Sequence, residues 1–141
     1  MKILVDTNRI IAALVKEGAT RNILFDESFE FFTPDFTITE IWEHEDEFLK
    51  KTNLTKMEFE MLLALIFEKV TTMPLSEYGG FMDECRALIS DMDDVPFLAA
   101  CLAVGAQGIW SHDPHFLEQD RVKVFTNIDM LRVSGKSGFD S

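Results

Sequence analysis

The amino-acid sequence predicts an α/β protein in which a mainly parallel sheet carries helices on both faces. Short apolar strands alternate with helices along the chain, and this alternation is typical of parallel sheets. The first predicted strand, 2–5, is a continuous apolar run of the kind that is buried on both faces. The 141 residues fit one domain, which we assign to 1–130. The Gly- and Ser-rich segment 131–141 is predicted to be a flexible C-terminal tail.

The remaining elements follow from apolar spacing and from the positions of capping residues, Pro and Gly. They are a helix over Ile10 to Val15 that stops at Gly18, a strand over 29–34, an acidic helix over 35–51, a helix after Thr55 with Glu58 completing a capping box, a strand within 69–74, a helix through Cys85, Leu88 and Ile89, an apolar helix between Pro96 and Gly105, and strands over 108–111 and 122–126.

The composition and charge exclude few classes of protein. The net charge of −12 comes from 25 acidic and 13 basic residues, which argues against broad electrostatic binding of nucleic acid. Carboxylates that bind metal ions enter the same count, so a nucleic-acid enzyme is not excluded. No apolar run reaches the roughly 18 residues of a membrane span, and no signal-peptide pattern is present. We therefore expect a cytoplasmic protein without membrane contact.

Carboxylates stand directly after two of the predicted strands. Asp6 follows "ILV" and Asp113 follows "GIWS" with one residue between, and ligands of parallel sheets bind at the carboxyl ends of the strands. Each acid alone has a simpler explanation, because Asp, Thr and Asn after a strand are common turn and capping residues. In that interpretation Thr7 or Asn8 caps the helix that begins there.

Further acids lie near the starts of two predicted helices. Glu40 borders the apolar side of its helix, four residues after Phe36, and Glu43 is the alternative on the same helix. The acids of "SDMDD" precede the apolar helix, where one of them suits capping and the helix dipole. Three acids are more than capping requires. Placed this close together they repel one another unless a cation compensates their charges.

Taken together, the acids predict a site for a hard divalent ion. Mg²⁺ and Mn²⁺ prefer oxygen ligands, and a pair of such ions can activate water and stabilise the leaving oxygen in phosphodiester hydrolysis. Zinc is a weaker alternative, because it would require His44, His112 and His115 to come together. We expect His112 and His115 at the polar rim of the site instead.

The ordered set "ILVDTN", "PDFTITEIWE" and "DMDDVPFLAACLAVGAQGIWSHDPHF" resembles the PIN domain of PilT N-terminal-like nucleases, over residues 2 to about 128. The resemblance implies a three-layer α/β/α sandwich that uses Mg²⁺ or Mn²⁺ to cleave single-stranded RNA, leaving 5′ phosphate and 3′ hydroxyl ends. A small standalone PIN domain also resembles the toxin of a VapBC-type pair. That likeness implies an antitoxin partner that covers the acidic site, and a homodimer.

The resemblance also implies roles for individual residues. The four catalytic and metal-binding acids would be Asp6, Glu40, Asp94 and Asp113, with Asp93 competing with Asp94 for the third place or supporting it. Thr7 or Asn8, together with Ser111, match polar positions that orient the acids or the attacking water.

The sequence departs from the family pattern in two places. "SHD" stands where Thr-Asn-Asp is commoner around the fourth acid, which keeps a hydroxyl and the Asp. Few basic residues are available to hold RNA, and those near the first helix are Arg9, Lys16 and Arg21.

Three other functions remain open at this point. A haloacid-dehalogenase-type phosphatase would also place a nucleophilic Asp after its first strand, but it uses a second acid two residues later, where this chain has Asn8. A PIN-like RNA-processing factor and a non-catalytic PIN-like module that binds proteins are the other two.

Overall fold

The computed structural model describes residues 1–15 and 18–134, and within them it contains a five-stranded sheet. The strands are β1 (Lys2–Val5), β2 (Glu30–Pro34), β3 (Val70–Met73), β4 (Gly108–Trp110) and β5 (Lys123–Phe125). All their pairings are parallel, in the order β3-β2-β1-β4-β5. The predicted parallel sheet is therefore confirmed.

Helices connect the strands. They are α1 (Thr7–Val15), α2 (Ala19–Leu24), α3 (Phe36–Glu43), α4 (Glu45–Thr52), α5 (Lys56–Lys69), α6 (Leu75–Tyr78), α7 (Met82–Arg86), α8 (Val95–Val104) and α9 (Asn127–Ser134), with 3-10 turns at Gly79–Phe81 and Pro114–Glu118. In the part of the chain that the structure describes, none of these helices is long and apolar enough to cross a membrane.

Two hydrophobic cores lie on opposite faces of the sheet. Successive side chains of a strand point to opposite faces, so Ile3 and Val5 enter one core while Leu4 enters the other. The first core contains side chains of α1, α2 and α5, and the second contains most of α8. The three-layer α/β/α sandwich is therefore confirmed.

The centre of the sheet brings the carboxyl ends of β1, β2 and β4 together. Leu4 of β1 pairs with Phe32 of β2 on one side and with Ile109 of β4 on the other. Residues that follow these three strands consequently emerge at one edge of the sheet. The parallel topology thus collects segments that are far apart in the sequence.

Two local signals in the sequence predict their elements correctly. The hydroxyl of Thr55 accepts the amide of Glu58 at 3.2 Å, and the Glu58 carboxylate accepts the amide of Thr55 at 3.0 Å, which completes the capping box of α5. Gly105 ends α8 in the left-handed region, with φ +68°, a conformation that favours glycine.

The predicted helix over 35–51 is wrong in one respect, because it is two helices. His44 separates the two helices: α3 ends at Glu43 and α4 begins at Glu45, and the φ of His44, −111°, is not helical. Ile41 and Phe48 both enter the same core. Their separation of seven residues puts them on one face of a single helix as well, so the apolar pattern does not reveal the break.

Two further predictions need correction. The helix through Leu88 and Ile89 ends earlier, at Arg86, although Cys85 and Ile89 are both buried. Gly18 lies between α1 and α2, as its predicted role as a helix stop requires, but α2 itself is a short helix that the apolar spacing does not predict. Residues 131–134, assigned to the tail, belong to α9, and the rest of the predicted tail, 135–141, lies outside the described residues.

Candidate active site

An acidic cleft of about 280 Å³ opens at the carboxyl edge of the sheet. Four of the segments that supply its acids are the residue after β1, helix α3, the turn before α8 and the loop after β4. The structure brings together the four predicted acids in this cleft, namely Asp6, Glu40, Asp94 and Asp113. Thr7, Asn8 and Asp93 line the same cleft, with Asn8 and Asp93 exposed at its surface.

Asp6 is buried between β1 and α1, and its two oxygens have different partners. One oxygen, Oδ1, accepts the amide of Arg9 at 2.9 Å and so caps α1. The other, Oδ2, accepts the hydroxyl of Ser111. The expectation that Thr7 or Asn8 caps this helix is therefore wrong, because Asp6 itself holds that position.

The surroundings of Asp6 favour its neutral form. Burial raises the pKa of Asp6 to about 6, against the opposing hydrogen bonds from Ser111 and the Arg9 amide and the Arg9 charge. The negative charge of Asp113 raises the pKa further. A carboxylate in this position gains from a nearby cation, because the cation offsets both the burial and the repulsion.

Glu40 is held by a chain of two threonines. The hydroxyl of Thr7 donates to Glu40 Oε1 at 2.7 Å. The hydroxyl of Thr37 lies 2.6 Å from that of Thr7, and since the single Thr7 proton goes to Glu40, Thr37 donates to Thr7. Burial raises the pKa of Glu40, with additions from the charges of Asp93 and Asp6.

The structure distinguishes Glu40 from the alternative that the sequence left open. Glu43 is exposed and does not line the cleft, whereas Glu40 is half-buried within it. Glu40 thus has both the position and the hydrogen bonds expected of a site residue.

Asp94 and Asp93 differ in the same way. Asp94 Oδ2 is buried and has no hydrogen-bond partner, whereas Asp93 is exposed. Burial raises the pKa of Asp94 to about 7, and the charges of Asp113 and Asp91 add to the increase. Asp94 precedes α8 without a side-chain capping bond, so the capping role is not found for it. The geometry therefore favours Asp94 over Asp93 as the third acid.

The fourth acid lies in a loop that is tied to the first. Ser111, buried directly after β4, donates to Asp6 and accepts the amide of Asp113 at 3.0 Å. Asp113 Oδ1 in turn accepts the amide of His115 at 2.9 Å. Ser111 thus lies beneath the cleft and links the positions of Asp6 and Asp113.

The three histidines do not come together as zinc ligands. His112 Nε2 accepts the amide of Asn127 at 3.1 Å, and His44 lies 3.6 Å from Glu47. His115, expected only at the rim, lies 3.2 Å from Asp113 Oδ1 and close to two further acids. Within residues 1–15 and 18–134, the one group with metal-donor spacing therefore contains a single histidine.

Several residues of the cleft are not predicted by the sequence. His44, Glu47, Phe48, Lys51, Asp91, Phe97 and Phe116 also line it. Those from α4 reach the cleft because the chain turns at His44, and periodicity does not reveal that turn. Lys51 is the basic side chain in this lining, where a polyanionic substrate would need one.

Two of the basic residues near the first helix, Arg9 and Arg21, do not line the acidic cleft. Arg9 lines a different cavity together with Asn127, although its charge lowers the pKa of Asp6. Arg21 donates to the carbonyl of Ala13 at 2.8 Å. Lys16 lies outside the described residues.

The residues of the cleft fit a hard divalent cation. The four acids are oxygen donors from different segments, and three of them have pKa values that the charges of neighbouring acids raise. Asp94 Oδ2 is a buried carboxylate oxygen that accepts no hydrogen bond, and the positive group nearest to it is His115, whose Nδ1 lies 3.4 Å away. A cation would offset more of the cost of burying this charge. Carboxylate oxygens are the ligands that hard divalent cations prefer.

Fold and cleft together define an α/β protein with carboxylates gathered at the carboxyl ends of its parallel strands. The family model for the PIN domain matches residues 4–126, and the chain belongs to this family. PIN domains are generally nucleases that use divalent metals. The match does not support the haloacid-dehalogenase alternative.

The fold is similar to that of a solved structure. It is a chain from the crystal structure of VapBC2 from Rickettsia felis bound to a DNA fragment from their promoter. The match has a TM-score of 0.69 and 13% sequence identity, and it covers 89% of this chain and 98% of that chain. At this identity the likeness shows the fold alone. A search among curated protein sequences finds no match.

Proposed function

We propose that this PIN domain is a ribonuclease that hydrolyses single-stranded RNA with Mg²⁺ or Mn²⁺ in the acidic cleft. The observation that carries the proposal is the convergence of Asp6, Glu40, Asp94 and Asp113 from four segments, with a buried, unpartnered oxygen on Asp94. A bound ion would supply the positive charge that lowers the pKa of an attacking water and neutralises the phosphodiester.

Different residues of the chain orient the acids of this site. Ser111 fixes the orientation of Asp6, and Thr7 fixes that of Glu40. Asp94 and Asp113 line the same cleft from two other segments. Asn8 is exposed on the cleft wall and has an amide available to orient a phosphate or a water. Products with 5′ phosphate and 3′ hydroxyl ends are expected.

The test is cleavage of a single-stranded RNA by the purified chain with Mg²⁺ or Mn²⁺, and with a chelator. Asp6→Asn, Glu40→Gln, Asp94→Asn and Asp113→Asn should each lower the rate by about 100-fold or more, since each removes a carboxylate that would help to hold the cation. Glu43→Gln is the matched control, an exposed acid on α3 outside the cleft. Unchanged cleavage by Asp6→Asn would rule out this site.

We further propose that the chain is the toxin of a VapBC-type pair. Its family and its fold likeness to a chain of a VapBC2 structure support this proposal. An antitoxin segment with an Arg or Lys would complement the acidic cleft, where the cation would occupy the place of the metal.

Expression in bacteria tests the toxin proposal. Wild-type chain should arrest growth, Asp6→Asn should not, and co-expression of the protein encoded next to this gene should restore growth. Cleavage of RNA without growth arrest would favour the RNA-processing alternative. Binding of Mn²⁺ without any cleavage would favour the non-catalytic module.

A homodimer is also part of the proposal. What supports it is an apolar groove of about 270 Å³ between α3 and α5, lined mainly by Ile38, Ile41, Trp42, Phe59, Leu63, Ala64 and Phe67. Trp42 is 63% exposed, and Met57 and Met61 of α5 are exposed to a similar degree. Apolar side chains in such a group are a common feature of interfaces.

A further inference from the structure

The group of residues with metal-donor spacing combines one of the four proposed catalytic acids, Asp94, with two residues outside that set, Asp91 and His115. One donor atom from each residue lies within 4.8 Å of the other two. His115 Nδ1 is 3.4 Å from Asp94 Oδ2 and 3.8 Å from Asp91 Oδ2. Asp113 Oδ1 is 3.2 Å from the same nitrogen. One imidazole nitrogen is therefore surrounded by carboxylates from two loops, the one before α8 and the one after β4.

The separations between these atoms fit ligands arranged around one ion. For metal–ligand distances of about 2.1 Å, neighbouring ligand atoms lie about 3.0 Å apart in an octahedron and about 3.4 Å apart in a tetrahedron. The distances of 3.2 and 3.4 Å from His115 Nδ1 to Asp113 and Asp94 lie within this range, and the distance of 3.8 Å to Asp91 lies slightly beyond it. The donor atoms of Asp91, Asp94 and His115 therefore lie close enough together to face one ion.

The burial of Asp94 supports the same interpretation. Its Oδ2 is buried and has no hydrogen-bond partner, although His115 Nδ1 lies 3.4 Å away. This is the same oxygen that completes the group of donors. His115 is about half exposed, so the position is open to an ion from solvent.

We infer that Asp91, Asp94 and His115 bind a first-row transition-metal dication, for which Mn²⁺ is the representative ion, in preference to Mg²⁺. Imidazole nitrogen is a good ligand for transition metals, whereas Mg²⁺ favours oxygen alone. The inference rests on the proposed function only through the shared Asp94, and it specifies which ion this side of the cleft selects. Asp91 and His115 thereby gain a role that the four-acid site does not give them.

Pulsed electron paramagnetic resonance of Mn²⁺ on the full chain tests the inference directly. Wild-type protein should show modulation from a coupled nitrogen and should bind Mn²⁺ about tenfold or more tightly than Mg²⁺. His115→Gln should lose the nitrogen modulation and about tenfold in Mn²⁺ affinity, with Mg²⁺ affinity unchanged. His115→Asp should keep Mn²⁺ affinity within a few-fold, because it replaces one ligand with another, but should lack the nitrogen signal.

The controls separate this inference from the proposed function. His112→Gln changes a neighbouring histidine outside the group and should retain the signal and both affinities. Asp6→Asn should lose RNA cleavage while it retains the nitrogen modulation. If wild-type protein shows no nitrogen modulation, or if His115→Gln binds Mn²⁺ as tightly, His115 serves only as a positive charge among the acids. Cleavage of RNA would survive that result, and a nitrogen signal without cleavage would overturn only the proposed function.

Discussion

At the residue scale, the two oxygens of Asp6 show how one carboxylate can serve the fold and line the cleft together. Its Oδ1 caps α1 through the amide of Arg9, and its Oδ2 is oriented by Ser111. From the sequence alone, helix capping and metal binding are competing explanations for Asp6. In the structure they are compatible, because each oxygen faces a different side.

Ser111 is predicted to stabilise the ionised form of Asp6. Ser111→Ala removes a buried hydroxyl that donates to Asp6 and accepts from the Asp113 amide. We expect the free energy of unfolding at pH 8 to fall by about 1–3 kcal/mol, and the pKa of Asp6 to rise further. Chemical denaturation and an NMR titration of the carboxyl carbon measure the two effects.

The matched control is Ser90→Ala, an exposed serine that donates to Glu118 at 2.9 Å. A change of within about 0.5 kcal/mol is expected for it. Equal losses for the two serine variants would show that the Ser111 contacts contribute nothing specific.

The raised pKa values predict how stability depends on pH in the absence of metal. Asp6 and Asp94 have folded-state pKa values of about 6 and about 7, above the ordinary value of 3.8. The folded protein therefore binds these protons more tightly than the unfolded chain does, and stability falls as pH rises from about 4 to about 7. For the buried Asp6 the loss is at most about 3 kcal/mol.

Asp6→Asn should remove the part of this pH-dependent loss of stability that comes from Asp6, because Asn carries no charge. Above pH 7 without metal, we expect the variant to be more stable than the wild type, and below pH 4 we expect the difference to vanish. Thermal unfolding across this pH range with a chelator measures the effect. Parallel pH profiles for the two proteins would contradict the assignment of the charge penalty to Asp6.

At the scale of single elements, we expect two glycines near α8 and β4 to cause different losses of stability when each is replaced by alanine. Gly105 has φ +68°, but a Cβ at this position would meet no atom within 4 Å, so the cost is confined to the backbone. A Cβ on Gly108 of β4 would lie 2.4 Å from the Phe125 ring and 2.7 Å from the Lys123 carbonyl of β5. The two positions thus separate backbone strain from steric overlap.

We expect Gly105→Ala to lower the free energy of unfolding by about 1–2 kcal/mol, and Gly108→Ala to lower it by more than about 2 kcal/mol. Urea denaturation of both variants provides the comparison. A larger loss for Gly105→Ala than for Gly108→Ala would contradict the close packing of β4 against β5.

The sequence predicts elements well where local chemistry decides them. The apolar run of β1, the Thr55 capping box and Gly105 after α8 each rest on neighbours in the chain, and each prediction is confirmed. Prediction from the sequence fails where tertiary packing decides the structure. The turn at His44 and the end of α7 at Arg86 leave the apolar spacing unchanged, so the apolar pattern does not indicate either of them.

The same distinction applies to the acidic cleft. Strand ends and helix starts in the sequence predict Asp6, Glu40, Asp113 and the acids before α8 at one edge of a parallel sheet, and the resemblance to the PIN domain singles out Asp94 among the latter. All four residues line the cleft. The positions of Lys51 and His115 depend on how α4 and the loop after β4 turn back toward that edge. No spacing rule contains this information, because it is fixed by the packing of whole segments.

At the scale of the whole molecule, the proposed homodimer predicts that one exposed aromatic residue controls the oligomeric state. Trp42→Glu places a charge in the apolar groove between α3 and α5, and burying that charge in an interface would be unfavourable. We expect the wild type to sediment as a dimer and Trp42→Glu to sediment as a monomer in analytical ultracentrifugation.

Ile128→Glu is the control for this variant. Ile128 is similarly exposed, at 61%, but lies on α9 outside the groove, so the variant should remain dimeric. A monomeric wild type, or a dimer that tolerates Trp42→Glu, would contradict the proposed interface.

The link between Asp6 and Ser111 has a consequence for the synthesis of the protein. The two residues are 105 positions apart, and β1 acquires its neighbour β4 only after residues 108–110 have been made. A ribosome delivers the chain from its N-terminus, so a growing chain cannot hold the complete cleft until Asp113 has been added. The order of the strands therefore delays assembly of the four-acid site long after Asp6 itself has been synthesised.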